Sequence, residues 1–191
     1  AKKFILTDKF VINSFGIKLF QIKCTKSFKY AQKGDFGGYV EKEGNLDQES
    51  DAWVYGDAWV YGNAKVSGDA RVYGNAEVYG DARVYGNAEV SGDARVSGDA
   101  RVYGNAEVSG DADIENDNEH CGFDGFGSCN RHTHAYMTKE KKVEIICGCF
   151  RGSIEEFEKK VEETHSGTVY EKQYKSIINV IKIKFGLTDF T

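Results

Sequence analysis

The sequence predicts a mainly β fold organised around a parallel β-helix, and three observations carry that expectation. Eleven hexapeptides follow one another from position 51 to position 116 with no residue inserted or lost, beginning DAWVYG DAWVYG NAKVSG DARVYG and ending DADIEN. In each unit Ala is followed two positions later by Val, or in the last by Ile114. The 191 residues include 22 glycines and no proline. That balance suits many short strands joined by tight corners: glycine takes left-handed dihedrals at no steric cost, and proline would remove ladder donors from strands paired on both sides.

Residues two apart in a strand share a face. The Ala and Val of each unit therefore point together into a core. The residue between them points out, as does the Tyr or Ser after Val. Gly-Asp or Gly-Asn closes ten of the units, and these residue types tolerate the left-handed backbone of a sharp corner. Three units close a triangular coil of 18 residues. Coils stack about 4.8 Å apart, so the rod is a stub roughly 20 Å long.

The flanks read differently. Residues 1–33 form an N-terminal β cap, in which KFIL and FVINSFGIKLFQIKC are strands with a hairpin turn at residues 14–16. The repeat domain runs from 34 to 116. After Asn116 the periodicity stops, and residues 117–191 read as a small α+β module. There HCGFDGFGSCN is a glycine-rich connection, and HAYMT and KVEIICGCF are two strands. Ser153-Ile-Glu-Glu156 and Thr168-Val-Tyr-Glu171 are helix-start signals. Ile154, Phe157 and Val161, then Tyr170, Tyr174, Ile177, Ile178 and Ile181, fall on single helical faces behind them.

An 18-residue coil stacks residue i beneath i+18 and sorts the outward residues between Ala and Val into three columns. The first is Trp53, Arg71, Glu89, Glu107. The second is Trp59, Glu77, Arg95, Asp113. Both mix signs, although Glu89 lies beneath Glu107. The third is Lys65, Arg83, Arg101, entirely basic, with Tyr85 and Tyr103 beside it. Like charges on neighbouring strands oppose stability by ~0.2–1 kcal/mol per pair, so this face is either a candidate binding stripe for an anion, a nucleic acid or a partner protein or, the favoured alternative, a row of long side chains that splay into solvent with no role. At the N-terminal end, Trp53, Tyr55, Trp59 and Tyr61 are expected to point outward as an aromatic patch. That patch suits an interface, or equally packing beneath the cap. The corner aspartates need no role beyond turn chemistry.

Five cysteines, an odd count, with no signal-peptide pattern at the N-terminus argue for free thiols in a reducing compartment, so a cytoplasmic location is expected. No stretch approaches the ~18 apolar residues of a membrane span, and no membrane partner is expected. Cys121, Cys129, Cys147 and Cys149 lie near His120, His132 and His134 in sequence, which makes the four cysteines weak zinc candidates. Their C-x7-C and C-x-C spacings match no standard finger, and buried free cysteines are the favoured reading. No metal or cofactor is expected.

The A-x-V spacing resembles the hexapeptide repeat of left-handed β-helices, known from acyltransferases and related proteins. The resemblance implies a left-handed coil. Residues 34–55, GDFGGYVEKEGNLDQESDAWVY, look like the lead-in of bacterial and phage hexapeptide-repeat proteins, some described as transferase-like or polymer-forming. The segment FGSCN…CGCFRGSIEEFEKKVEETH resembles a module of phage and prophage proteins. Repeat and flanks together cover most of the chain. The repeat is specific for fold and nearly silent on function, because many functions share this fold.

Three functions follow as expectations. The first is a non-enzymatic interaction protein, phage or prophage encoded, that binds a host macromolecule through a rigid β-helix face, a counter-defence or anti-CRISPR inhibitor in the host cytoplasm being one form. The second is a structural, self-assembling protein, with a dimer or trimer as its closed form. The third is an acyltransferase-like enzyme. The repeats are uninterrupted and contain no histidine, whereas the enzymes place a catalytic histidine near a loop that breaks the coils, and this disfavours the third.

Overall fold

The structure is a computed structural model that describes residues 2–187. The chain divides into two compact units, residues 1–116 and residues 117–191.

The first unit is a β-solenoid of about four turns with a hairpin over its first turn. Each hexapeptide contributes a two-residue rung, from Trp53–Val54 to Asp113–Ile114. Rungs pair in parallel with the rung 18 positions on, as in Lys65 with Arg83 and Glu77 with Arg95. From Trp53 to Asp99 each repeat donates three backbone hydrogen bonds to the turn beyond. Lys65 N donates to Ala82 O (3.0 Å), Ser67 N to Val84 O (3.0 Å) and Asp69 N to Gly86 O (2.7 Å). The alanines and valines from Ala52 to Ile114 are 0–3% exposed, as their alternation requires. Corner glycines from Gly56 to Gly110 have φ between 57° and 73°. At Gly86 the stacking adds a second constraint, since a Cβ there would sit 2.9 Å from the Gly104 nitrogen.

The hairpin is β1 (Phe4–Ile12) against β2 (Lys18–Cys24), and β2 pairs antiparallel with β3 (Phe36–Val40). β3 then pairs in parallel with the Trp59–Val60 rung, so hairpin and solenoid share one seven-stranded sheet. The turn is closed by Asn13, whose Oδ1 accepts from the Phe15 and Ile17 amides at 3.0 and 2.9 Å.

The first turn is longer than the rest. Val40 pairs with Val60 and Leu46 with Val66, a spacing of 20, whereas Val54 pairs with Val72, a spacing of 18. The two extra residues lie between Leu46 and Val54, and this corner holds the chain before β1. Gln48 Oε1 accepts from the Lys3 and Phe4 amides (2.8 and 3.2 Å), and its Nε2 donates to Phe4 O (3.1 Å). Lys3 Nζ donates to Ser50 O (2.7 Å) and Ala52 O (2.8 Å). Burial pulls the Lys3 pKa down to about 8. A buried cation is costly unless its donors are used; here two go to carbonyls, and the Phe28 ring centre lies 5.1 Å from Nζ.

The second unit is a four-stranded antiparallel sheet, His120–Phe126, Arg131–Met137, Val143–Cys147 and Phe150–Ser153, with α1 (Ile154–His165) and α2 (Val169–Lys184). Residues 120–126 were expected to be a connection and are a strand. Their glycines sit at an irregular, exposed edge, with Gly125 at φ 79°. Both helices start where the capping signals place them. Ser153 accepts from the Glu156 amide while Glu156 accepts from the Ser153 amide, and Thr168 accepts from the Glu171 amide. Ile154, Phe157, Val161, Tyr174, Ile177, Ile178 and Ile181 form the core against Ala135, Ile145 and Cys147.

Candidate functional site

The three outward columns have the membership that an 18-residue coil dictates. On the first face Arg71 contacts Glu89, and Tyr73 OH donates to Glu89 Oε2 (3.1 Å). The Arg71 guanidinium also lies 5.3 Å from the Tyr30 ring centre. On the second face Arg95 Nε is 4.0 Å from Glu77 Oε1, and Tyr61 OH donates to Glu77 Oε2 (3.1 Å). Burial pushes the pKa values of Tyr55, Tyr61 and Tyr73 upward, with the neighbouring carboxylates adding to the shift. The Tyr61 and Tyr73 hydroxyls are the donors to these carboxylates.

The third face is different. Lys65, Arg83 and Arg101 are all exposed. Lys65 lies opposite Arg83, and Arg83 opposite Arg101. Among the described residues no carboxylate lies within ion-pair distance of Lys65 or Arg83. Tyr85 and Tyr103 stack beside them, ring centres 5.4 Å apart and planes 13° off parallel, and are 37% and 55% exposed. At the adjoining corner Asn87 Nδ2 donates to Asn105 Oδ1 (3.0 Å). The result is a flat surface of cations and stacked phenols on a backbone fixed by ladder bonds between neighbouring rungs.

The aromatic patch needs correction. Trp53 is 2% exposed and Tyr61 4%. Phe4 and Phe28 cover Trp53 edge-on at 6.3 and 5.3 Å. Tyr61 packs with Leu19 and Tyr39 beneath the hairpin. Both residues do point away from the coil core, but the cap supplies a second core outside it. Trp59 and Tyr55 are half-buried, and Tyr55 continues as a ladder onto Tyr73 (5.0 Å). The corner residues also satisfy one another, with Asn63 donating to Asp81 (3.1 Å) and Asn75 to Asp93 (2.9 Å).

All five cysteines are thiols. Cys147 is buried and accepts from Thr133 Oγ1 at 3.2 Å. Cys121 packs against the helical core, and burial pushes its thiol up to about 11, which opposes the thiolate a metal needs. Cys129 and Cys149 are exposed and line, with Cys147, a pocket of ≈ 240 Å3. Among the described residues no group of three or more His, Cys, Asp or Glu is arranged to hold a metal ion. The histidines do gather: His120 Nδ1 and His134 Nε2 are 3.0 Å apart and buried, and His132 Nδ1 is 2.8 Å from Asp124 Oδ1. The H-x-H spacing puts His132 and His134 in one strand. Their approach to His120 depends on strand pairing, which spacing alone does not give.

Among the described residues no helix is long and apolar enough to cross a membrane. The family model for the YdcK beta solenoid repeat matches residues 64–80 and 88–104. No curated protein matches the chain. The matched stretches carry the A-x-V core positions of the middle turns and three members of the third face, Lys65, Arg101 and Tyr103. With the ladder geometry, they identify the chain as a β-solenoid repeat protein.

Proposed function

We propose that this β-solenoid protein is a non-enzymatic binding protein that holds a host macromolecule against its third face. The observation that carries the reading is the basic column, in which like charges stand in register, Lys65 beside Arg83 and Arg83 beside Arg101, flanked by the exposed Tyr85–Tyr103 stack. Two faces of the same solenoid pair their charges internally. A third that keeps like charges in register is disfavoured by ~0.2–1 kcal/mol per pair, and an acidic partner would offset that. Exposed tyrosine and arginine are also the side chains that most often anchor interfaces. The partner this surface favours is an acidic protein face.

The resemblance of residues 34–55 and of the C-terminal segment to phage proteins extends the reading to a phage-encoded inhibitor of a host defence, the anti-CRISPR type included. The absence of histidine from the repeats supports a non-enzymatic role over acyl transfer. The test is parallel capture from bacterial lysate, with and without nuclease, by the wild type and by Lys65→Ser/Arg83→Ser/Arg101→Ser. A stoichiometric protein held by the wild type through nuclease treatment and lost by the variant is the expected result. Equal capture by both would overturn the reading. Loss of the partner on nuclease treatment would reassign the face to nucleic acid, and recovery of the chain alone would favour self-assembly.

A further inference from the structure

The hairpin over the first turn carries a second surface, independent of the third face. Residues 1–33 hold eight lysines against one carboxylate, Asp8, a net charge of +7 in a chain whose total is −5, so the other residues carry −12. Three of these lysines are engaged: Lys3 in the corner of the first turn, Lys2 with Glu43 (2.6 Å) and Lys29 with Asp69 (2.7 Å). Lys9, Lys18, Lys23, Lys26 and Lys33 remain, and among the described residues none of them has a carboxylate within ion-pair distance.

The same strands expose apolar side chains. Phe15 at the turn is 75% exposed, Ile12 62%, Phe36 58%, Phe10 44% and Ile5 42%. Directly paired residues share a face. Ile5 pairs with Lys23 and Lys23 with Phe36, Phe10 pairs with Phe20, and Ile12 pairs with Lys18. The opposite face is occupied, since Leu19 packs with Tyr39 and Tyr61, and Val11 lies against them. On the outer face Lys18 Nζ lies 3.8 Å from the Phe10 ring centre and 4.9 Å from that of Phe20, and Lys23 Nζ lies 5.1 Å from that of Phe36. Cations lie across apolar rings, with further apolar groups at the hairpin tip.

We infer that this outer face docks on an anionic lipid bilayer, with Ile12 and Phe15 entering the acyl boundary and Lys18 and Lys23 at the headgroups. Three features select this occupant. Five lysines without ion-pair partners call for an anionic partner, while Ile12 and Phe15 call for an apolar one, and an anionic bilayer offers both. Lysine is depleted from the cores of protein interfaces, where Tyr, Trp and Arg dominate, and none of those three is among these residues. A nucleic-acid platform needs open ring faces for stacking, whereas here lysines lie across Phe10, Phe20 and Phe36, and the isoleucines offer a base nothing.

The test is co-sedimentation of the full chain with phosphatidylcholine vesicles, with and without phosphatidylglycerol. The expected result is binding to the anionic vesicles only, weakened by added salt. Lys18→Gln/Lys23→Gln should weaken it at least tenfold, and Ile12→Ser/Phe15→Ser should weaken it comparably. All four side chains lie on the solvent face, and circular dichroism checks that the variants are folded. The Lys65→Ser/Arg83→Ser/Arg101→Ser variant should bind the vesicles as the wild type does, which keeps this surface separable from the third face. No sedimentation, equal binding to neutral vesicles, or undiminished binding by the hairpin variants would overturn the inference. Hairpin-dependent binding of a single-stranded oligonucleotide without vesicle binding would overturn it in favour of nucleic acid.

Discussion

The first two faces of the solenoid and the third have the same backbone and treat charge in opposite ways. All three repeat the Ala-x-Val rung, the same ladder and the same glycine corner. On the first, Glu89 takes Arg71 and the Tyr73 hydroxyl; on the second, Glu77 faces Arg95 and takes the Tyr61 hydroxyl. On the third, Lys65 meets Arg83 and their tyrosine neighbours stack in solvent. The inward residues leave the outward ones nearly unconstrained, so a regular solenoid can carry faces that pair opposite charges beside one that stacks like charges. The face of stacked like charges is where an acidic partner has most to offer.

If the backbone is common to all faces, corner glycines should be equally intolerant wherever they are stacked. Gly74→Ala and Gly86→Ala are each expected to cost about 3 kcal/mol in urea unfolding, because each adds a close backbone approach to a left-handed residue. Gly104 has the same φ, but a Cβ there meets nothing within 4 Å. Gly104→Ala should therefore cost only about 1–2 kcal/mol, the left-handed penalty alone. Equal costs at Gly86 and Gly104 would show that stacking does not set the corner.

Charge is the next level down. Arg71→Ala leaves Glu89 facing Glu107 and is expected to cost about 1 kcal/mol, whereas Arg83→Ala should be neutral or stabilising by a few tenths. A matching loss at both positions would erase the distinction between the faces. The smallest effect belongs to the tyrosines. Tyr73→Phe removes a hydrogen bond to a carboxylate and should cost about 0.5–1 kcal/mol, while Tyr85→Phe, with its ring stack intact, should cost almost nothing.

Much of the fold is legible in the sequence because period fixes geometry. A spacing of six with Ala and Val two apart dictates inward residues, corners and columns, and the capping signals at Ser153 and Thr168 locate both helices. The cover over Trp53 and Tyr61 is not legible, since pattern tells which way a side chain leaves the coil but not what waits outside it. The strand at residues 120–126 is hidden by its glycines. Gln48 and Lys3 form their clamp through a corner two residues longer than the rest, which becomes visible only when Leu46 is set against Val66. The basic hairpin is a different case. Counting charge by segment, rather than over the whole chain, exposes it directly.

A third face kept for a partner contributes nothing to holding the solenoid together. The direct measurement is urea unfolding of Lys65→Ser/Arg83→Ser/Arg101→Ser against the wild type at low salt and at about 0.5 M, where exposed charges are screened. The variant is expected to be at least as stable as the wild type at low salt, with the difference shrinking as salt rises. A loss of more than about 1 kcal/mol at either salt, outside the range of surface substitutions, would mean that these side chains hold the solenoid together, and would contradict the account.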